Sequence, residues 1–258
     1  MGDTVKKAGV IFGTQIDPVV WAGAAPDAAP LKVIMVCATR RAEADFWAEA
    51  PLGRSMEFIA HQRQVGLSLY LDNHVGLPQV YNQVIARAED DALLVFAHDD
   101  VWLQDIFWVA RLARALETWD VVGVAGNTRR QPGQVSWRHQ QNSSGALVPD
   151  DGHLSGVVGY GPFPFRGEVL DYGPVPAACE LLDGMLLAVR KSTLTRHGLA
   201  FDPQFQFDFH DLDFCRSARQ RGLRLGTCRL SVTHQSAGRI GSPEWLAMRE
   251  AYLRKWGD

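Results

Sequence analysis

The sequence predicts one α/β domain, in which a mostly parallel sheet is flanked by helices on both faces. The chain has 258 residues, 47% of them hydrophobic and 21% charged, which is the composition of a globular domain that buries its own core. Short apolar runs with β-branched residues alternate with stretches whose apolar residues recur at helical spacing. This alternation is typical of parallel strands that helices cover.

The individual elements follow from these runs. Apolar runs too short for a helix predict strands at 31–38, 56–60, 67–71, 92–97, 120–125, 181–189 and 223–233. Helical spacing or composition predicts helices at 42–50, 77–89, 106–119, 211–221 and 245–256. Residues 1–30 are rich in Ala, Gly and Pro, and we expect an extension and linker there. Residues 126–178 are predicted to be irregular, and a long irregular stretch inside a domain is usually functional.

Charge and cysteine content narrow the class of protein. The net charge of −3 provides no basic field, so we expect no nucleic-acid partner. The four cysteines show no CxxC spacing, which favours buried or free thiols in a reducing compartment. The moderately apolar stretch at 8–25 is interrupted by Asp17 and Pro18, so no transmembrane segment is predicted. We therefore expect a cytoplasmic protein.

A triplet of polar residues, His98, Asp99 and Asp100, follows the predicted strand at 92–97. In α/β sheets, ligands bind beyond the carboxyl ends of the strands. Two carboxylates there can hold Mg²⁺ or Mn²⁺, which prefer oxygen ligands and bridge to diphosphates. The alternative is that Asp99 or Asp100 caps the following helix, and the triplet alone favours the cap.

Two further sites carry acidic or imidazole groups. Asp211 and Asp213 stand at the start of the predicted helix at 211–221, where acidic residues also complement the helix dipole. His234 follows the last predicted strand. A single histidine there is more often a packed or surface residue than a ligand, although imidazole can bind Mn²⁺.

The order of these sites along the chain resembles that of glycosyltransferase family 2, the inverting GT-A enzymes, in its compact bacterial form. The segment LKVIMVCATR is similar to the family's first strand, and Asn73, Gly76 and Asn82 match its N-x-x-G and following asparagine. The triplet HDD takes the place of the DxD-type metal motif. The segments LLDGMLLAV, FHDLDFCRSARQRG and VTHQSAGR resemble the acceptor-side strand, the acidic helix and the late strand that ends in histidine.

The resemblance implies a GT-A fold with an irregular acceptor-side insertion, in which residues 31–125 form the nucleotide-sugar-binding half and residues 126–257 the acceptor-binding and catalytic half. It assigns metal contact to Asp100 and His234, with Mn²⁺ or Mg²⁺ as cofactor, and the role of general base to Asp211. Nucleotide-sugar binding is assigned to Ala38, Thr39, Asn73, Asn82, Asp99, Asp183 and Gly184. A UDP-sugar is the favoured donor, with GDP and dTDP as alternatives. The acceptor would be a sugar or a lipid-linked hydroxyl, the latter at the inner face of the membrane.

The sequence departs from the family pattern at three points. His98 stands where the first carboxylate of the metal motif is usual, which leaves its role open. The aspartate that often ends the second strand and reads the base is not evident, because the predicted strand at 56–60 runs into His61 and Gln62. The Q-x-x-R-W signature of processive synthases is absent from the sequence, so we expect transfer of a single sugar.

Other classes of protein stay open at this point. A metal-dependent hydrolase would use His98, Asp100, His210, Asp211 and His234 as a mononuclear or dinuclear site. A carbohydrate-binding module without catalysis would keep the fold and lose the acidic residues. A nucleotidyltransferase would usually show a Gly-rich basic loop near the first strand. The aromatic residues of 126–178 either bind an acceptor sugar or pack a long loop, and the two interpretations weigh equally.

Overall fold

The structure, a computed structural model, describes residues 31–59, 65–164, 166–236 and 238–257, and the expected extension at 1–30 lies outside this part of the chain. The helices are α1 (Glu43–Glu49), α2 (Pro51–Ile59), α3 (Leu77–Arg87), α4 (Trp108–Ala115), α5 (Lys191–His197), α6 (His210–Gln220) and α7 (Pro243–Trp256). The strands are β1 (Val33–Ala38), β2 (Val65–Tyr70), β3 (Leu93–Ala97), β4 (Val101–Leu103), β5 (Val121–Gly123), β6 (Ala125–Asn127), β7 (His139–Gln141), β8 (Leu147–Pro149), β9 (Leu154–Tyr160), β10 (Glu168–Gly173), β11 (Ala178–Cys179), β12 (Leu181–Leu182), β13 (Leu186–Arg190), β14 (Leu225–Thr227) and β15 (Val232–His234).

A large mixed sheet flanked by helices forms the centre of the molecule, which confirms the α/β class. Its strand order is β11-β14-β5-β13-β3-β1-β2. β1 runs parallel to β2 and β3, and β14 runs parallel to β5, but β13 is antiparallel to both of its neighbours. The chain enters β13 beside the end of β3, where Leu186 pairs with Ala97, so β13 must run against β3. The sheet is therefore mixed and not mostly parallel.

The central strands lack the apolar–polar alternation of a half-exposed sheet, because both of their faces are covered. All five residues of β3 are buried. α3 covers one face with an apolar stripe that includes Val80, Tyr81 and Val84. Tyr81 packs against Phe96 of β3 and against Phe201, with ring centroids 4.6 and 5.1 Å apart. This packing fixes the end of β3, and with it the loop that follows.

A second, six-stranded sheet lies beside the first, with the order β12-β6-β9-β15-β4 and β10 paired to β9. The sequence predicted a single sheet and an irregular segment at 126–178, yet that segment supplies β7 to β10. Three predicted strands, at 120–125, 181–189 and 223–233, each divide into one strand of the central sheet and one of the second sheet. The chain passes from one sheet to the other within these runs, and a continuous apolar pattern does not reveal such a crossing.

The expected strand at 56–60 was wrong, because these residues belong mostly to α2. Pro51 starts this helix, where its fixed backbone angle suits the first turn. The second strand along the chain is instead β2, so it does not run into His61 and Gln62, which lie outside the described residues. Asp72 follows β2 closely and is exposed.

The four cysteines, Cys37, Cys179, Cys215 and Cys228, are all buried and free. Within the described ranges, no helix combines the length and the hydropathy that a membrane crossing requires.

Candidate metal centre and catalytic cleft

The ends of several strands meet at one edge of the molecule. β1 ends before Thr39, β3 before His98, and β15 at His234. β4 pairs antiparallel with β15, which places His234 opposite Val101 and therefore beside the His98–Asp100 triplet. The sheet pairing therefore places the triplet at the ends of the strands, as the sequence predicted.

Three side chains at this edge, His98, Asp100 and His234, each offer a metal-ligand atom, and these atoms lie within 4.8 Å of one another. The Asp100 Oδ1 atom is 3.2 Å from His234 Nε2 and 4.0 Å from His98 Nδ1. The two histidine side chains are 14% and 12% exposed, so they are held in place by the fold. The predicted ligands Asp100 and His234 are brought together, and His98, whose role the sequence left open, joins them.

The donor atoms of this cluster lack hydrogen-bond partners. His98 Nε2, Asp100 Oδ1 and His234 Nε2 are buried and unpartnered among the described residues. The 3.2 Å contact between Asp100 and His234 does not have hydrogen-bond geometry, so it does not satisfy either atom. An unsatisfied buried polar atom costs about 1–3 kcal/mol, so three at one point require compensation. A divalent cation between them would supply it, and the donor set fits one.

The pKa shifts of His98 and Asp100 suit metal binding, whereas a cation would have to displace the proton that the raised pKa of His234 favours. Burial lowers the pKa of His98 to about 3, and the neighbouring His210 and His234 add to this, so His98 is neutral at physiological pH. Burial works to raise the pKa of Asp100, but the imidazole of His234 outweighs it, and the pKa is lowered. Burial also opposes charge on His234, yet Asp100 raises the pKa of His234. A neutral imidazole and an ionised carboxylate are the forms that ligate metals.

Asp99 points away from this cluster. Its carboxylate accepts a hydrogen bond from Thr39 Oγ1 at 2.5 Å and lies 3.7 Å from Arg41 Nε. The Thr39 carbonyl also accepts the backbone N–H of Asn73, so Thr39 ties together the ends of β1, β2 and β3. A cleft of about 280 Å³ opens here, lined by Arg41, Pro51, Asp99, Asp100, Gln235 and Ser236.

Asp211 lies in the first turn of α6 and contacts the turn between β12 and β13. Its Oδ2 accepts the backbone N–H of Gly184 at 2.9 Å, and its Oδ1 accepts that of Leu212 at 2.9 Å. A Cβ on Gly184 would be only 2.8 Å from the Asp211 Cβ, so the two segments are in close contact. Phe209 just before the helix has a φ of 66°, a strained conformation for a bulky residue that helps aim His210 and Asp211 at this turn.

No predicted capping residue stands at an N-cap, although Asp211 and Asp213 lie in the first turn of α6, where acidic residues complement the helix dipole. Asp99 and Asp100 precede strand β4, and the N-cap of α4 is Phe107. The N-cap of α6 is Phe209, so neither Asp211 nor Asp213 occupies that position. Asp213 is turned into the structure instead, where its Oδ1 accepts from Trp256 Nε1 at 2.9 Å and pairs with Lys255.

The two predicted asparagines serve the scaffold around the cleft. Asn82 binds the backbone of Phe201 through both amide atoms, at 2.7 and 3.0 Å. Asn73 donates to the carbonyl of Val75 at 2.7 Å and closes the turn after β2. Both amide atoms of Asn82 are therefore occupied, whereas the Asn73 bond uses only its Nδ2 atom.

Aromatic residues from the segment at 126–178 surround Asp183. The hydroxyl of Tyr172 donates to that of Tyr160 at 2.9 Å, and the Tyr160 ring lies 6.1 Å from the ring of His234. Burial raises the pKa of Asp183 to about 6 and Asp211 adds to the rise, whereas His234 and the indole of Trp137 oppose it. Part of the segment predicted to be irregular is thereby folded against the cleft.

Sequence reasoning missed two features of the cleft. His98 was left without a role because a histidine is unusual at the first position of the motif, although its spacing from Asp100 was a usable signal. Asp72 was missed because the second strand was placed in the wrong segment. The backbone of Asp72 donates to the carbonyl of Arg41, which puts it beside the loop that lines the cleft.

Comparisons with known proteins give distant structural similarity only. No family model matches the sequence, and no curated protein matches it. The chain is similar to GalNAc-T7, crystallised with UDP, GalNAc and Mn²⁺, at 13% identity and a TM-score of 0.49 over 88% of this chain. It spans 48% of the length of that protein. It is also similar to A197 from STIV, at 11% identity and a TM-score of 0.41, over 83% of this chain and 100% of that one.

Proposed function

We propose that the chain is a metal-dependent glycosyltransferase that moves one sugar from a nucleotide-sugar donor to a hydroxyl acceptor. The observation that carries the proposal is the meeting of His98, Asp100 and His234 at the mouth of a cleft that Asp99 also lines. The resemblance to glycosyltransferase family 2 puts metal contacts at Asp100 and His234 and a nucleotide contact at Asp99, and it leaves the role of His98 open. The cleft of about 280 Å³ admits part of a nucleotide diphosphate, and the rest would extend along Thr39 and Arg41.

Manganese is the metal we propose for this site. Two imidazoles and one carboxylate form a mixed nitrogen and oxygen set, whereas Mg²⁺ strongly prefers oxygen alone. The His98 imidazole is the difference from a site with two carboxylates. We expect the protein to bind Mn²⁺ more tightly than Mg²⁺, and His98→Asp to shift that preference toward Mg²⁺. The metal would stabilise the charge that develops on the departing diphosphate.

Other residues of the chain would bind the nucleoside, bind the acceptor and accept the acceptor proton. Asp99, Thr39 and Asp72 lie where the nucleoside would be held, and Asp183 and Gly184 lie on the acceptor side. The acceptor oxygen would attack the anomeric carbon while the bond from that carbon to the diphosphate oxygen breaks, with its electron pair leaving on the diphosphate. Asp211 would take the acceptor proton, a role that contributes roughly 10²–10⁴-fold. Direct displacement inverts the anomeric configuration.

Thermal-shift screening tests the proposal. UDP-, GDP-, dTDP- and CMP-sugars are added with Mn²⁺ or with EDTA, and release of the nucleoside diphosphate (CMP for CMP-sugars) is then measured for any donor that stabilises the protein. A ligand at 100 times its Kd raises stability by about 2.7 kcal/mol, which is readily seen as a shift in Tm. We expect stabilisation by one donor class, only with Mn²⁺, and its loss in Asp100→Asn. His153→Ala, a half-buried histidine outside the cluster, is the matched control. The absence of any Mn²⁺-dependent donor effect would reject the proposal.

A metal-dependent hydrolase is the second candidate, because three protein ligands suffice for a resident metal. His210 and Asp211 do not join the described ligand cluster, so a five-residue dinuclear site is not formed. The two functions differ in how the metal is held. A hydrolase would bind Mn²⁺ or Zn²⁺ tightly without nucleotide, whereas a transferase would bind Mn²⁺ much more tightly when the nucleotide is present. Metal titration by calorimetry with and without UDP separates them.

A further inference from the structure

Beside the metal centre lies a row of side chains that the proposed chemistry does not use, formed by Trp137, Arg138, Tyr160 and Tyr172; we refer to it as the aromatic row. It starts at the metal centre, where the Tyr160 ring lies 6.1 Å from that of His234. The hydroxyls of Tyr160 and Tyr172 are hydrogen-bonded, and Trp137 packs edge-on against Tyr172 with centroids 5.2 Å apart. The row therefore starts beside the metal centre and leads away from it.

Arg138 carries a charge that the described part of the protein does not neutralise. Its guanidinium lies over the Tyr172 ring, 5.2 Å from the centroid. Its buried Nε has no hydrogen-bond partner, and none of the described carboxylates lies within ion-pair distance of it. The nearby Arg129, by contrast, is bound to Asp150.

The phenols beside Arg138 do not supply the missing negative charge. Burial raises the pKa of Tyr160, with the charge of Asp183 adding to the rise. Burial also raises the pKa of Tyr172, against the opposing effect of the hydrogen bond that Tyr172 donates to Tyr160. Both phenols are therefore neutral at physiological pH.

The position of Arg138 is held by the fold. The carbonyl of its neighbour Trp137 accepts a hydrogen bond from Asn127 Nδ2 at 3.0 Å, and the same amide donates to Asp150 at 2.9 Å. The carbonyl of Arg138 itself accepts the backbone N–H of Asp150. A cation on a flexible surface loop would not be pre-positioned in this way.

We propose that the aromatic row is the acceptor subsite and that it selects a sugar bearing an anionic substituent, a carboxylate or a phosphate. The proposal rests on the proposed function. Sugar faces pack on aromatic rings, and guanidinium groups bind carboxylate and phosphate in two-point contacts. Donor phosphates are a less fitting partner, because the donor side is marked by Thr39, Arg41 and Asp99.

Binding of model sugars tests this without any enzymatic assay. Methyl β-D-glucuronide, glucose 6-phosphate and the neutral methyl β-D-glucoside are titrated against the full chain by NMR, with neither metal nor nucleotide. We expect at least one of the two anionic sugars to bind 10-fold or more tightly than the neutral one. Which of them does so identifies the substituent as carboxylate or phosphate. Absence of any such preference in the wild-type protein would overturn the proposal.

Variants assign the preference to Arg138. Arg138→Gln should reduce the preference for anionic over neutral sugars to about twofold or less. Arg138→Lys keeps the positive charge and should retain part of the preference, and it still tests the residue if the glutamine variant does not fold. Arg224→Gln, which removes an exposed arginine paired with Asp120 at the opposite end of the sheet, should leave it unchanged. A preference that survives in Arg138→Gln excludes this residue. Reduced UDP–Mn²⁺ affinity with an intact sugar preference would move Arg138 to the donor side and equally overturn the proposal.

UDP with Mn²⁺ is titrated in parallel, so that the two proposals can fail separately. If UDP–Mn²⁺ binding is intact and the protein shows no preference for anionic sugars, only the proposal of the acceptor subsite is rejected. Absence of Mn²⁺-dependent binding of UDP, GDP, dTDP and CMP alike removes the transferase.

Discussion

Replacing Asp211 by asparagine separates a catalytic role from a structural one. Both oxygens of the carboxylate accept backbone N–H groups, from Gly184 and from Leu212, each at 2.9 Å. Asparagine keeps one acceptor and turns the other atom into a donor that faces an N–H, so one bond is lost. The net loss of a hydrogen bond to a charged group is about 1.5–3 kcal/mol, and we expect stability to fall toward the lower end because Asp211 is not fully buried.

Activity should fall much further than stability explains. Loss of a general base reduces turnover by about 100-fold or more, equivalent to roughly 2.7 kcal/mol in the barrier, while UDP–Mn²⁺ affinity stays unchanged. The assay is release of the nucleoside diphosphate from the donor that thermal screening identifies, alongside Tm. The matched control is Asp213→Asn on the same helix, which should lose at least as much stability and retain turnover while folded. Near-native turnover of Asp211→Asn would refute the assignment, and equal turnover losses in both variants would show that activity merely follows stability.

Three further changes have defined outcomes. Gly184→Ala forces a Cβ to 2.8 Å from the Asp211 Cβ, so we expect the free energy of unfolding in urea to fall by about 1–3 kcal/mol. Turnover should also fall, with Mn²⁺ affinity unchanged, and full turnover would show that the contact does not position Asp211. His98→Ala should weaken Mn²⁺ binding at least 10-fold by calorimetry, and unchanged affinity would remove His98 from the site. The ion pair with Arg129 holds the pKa of Asp150 below its ordinary value. The contribution of this pair to folding stability is therefore present above pH 4 and is lost as the pH falls through the lowered pKa. The Tm difference between the wild type and Asp150→Asn should therefore shrink as the pH falls from 7 to 3 and below, and a difference independent of pH would contradict this.

The central sheet was the part of the fold most open to prediction. β1 and β3 are buried on both faces, so they appear in the sequence as continuous apolar runs, which indicate buried strands. α2 was misread as a strand because a run of five residues does not distinguish period 2 from period 3.6. The second sheet escaped prediction because β4, β6, β12 and β15 have only two or three residues each and its strands depend on pairing with distant segments, such as β15 with β4.

The site was predictable to the extent that it follows strand ends. Placing His98, Asp99 and Asp100 after a buried strand was enough to expect a ligand site there. The family resemblance predicted that Asp100 and His234 converge, but the residues alone do not show it, since it depends on the pairing of Val101 with His234. The bonding of Asn82 to Phe201 likewise depends on tertiary contact and has no local signal.

Anomalous scattering at the manganese edge tests the central claim most directly. Crystals are grown with Mn²⁺ and UDP, and the anomalous peak is located relative to the cluster of His98, Asp100 and His234. We expect a single strong peak within bonding distance of all three side chains, with diphosphate oxygens completing the coordination. UDP bound in the cleft without a manganese peak at that cluster, or manganese bound elsewhere, would contradict it.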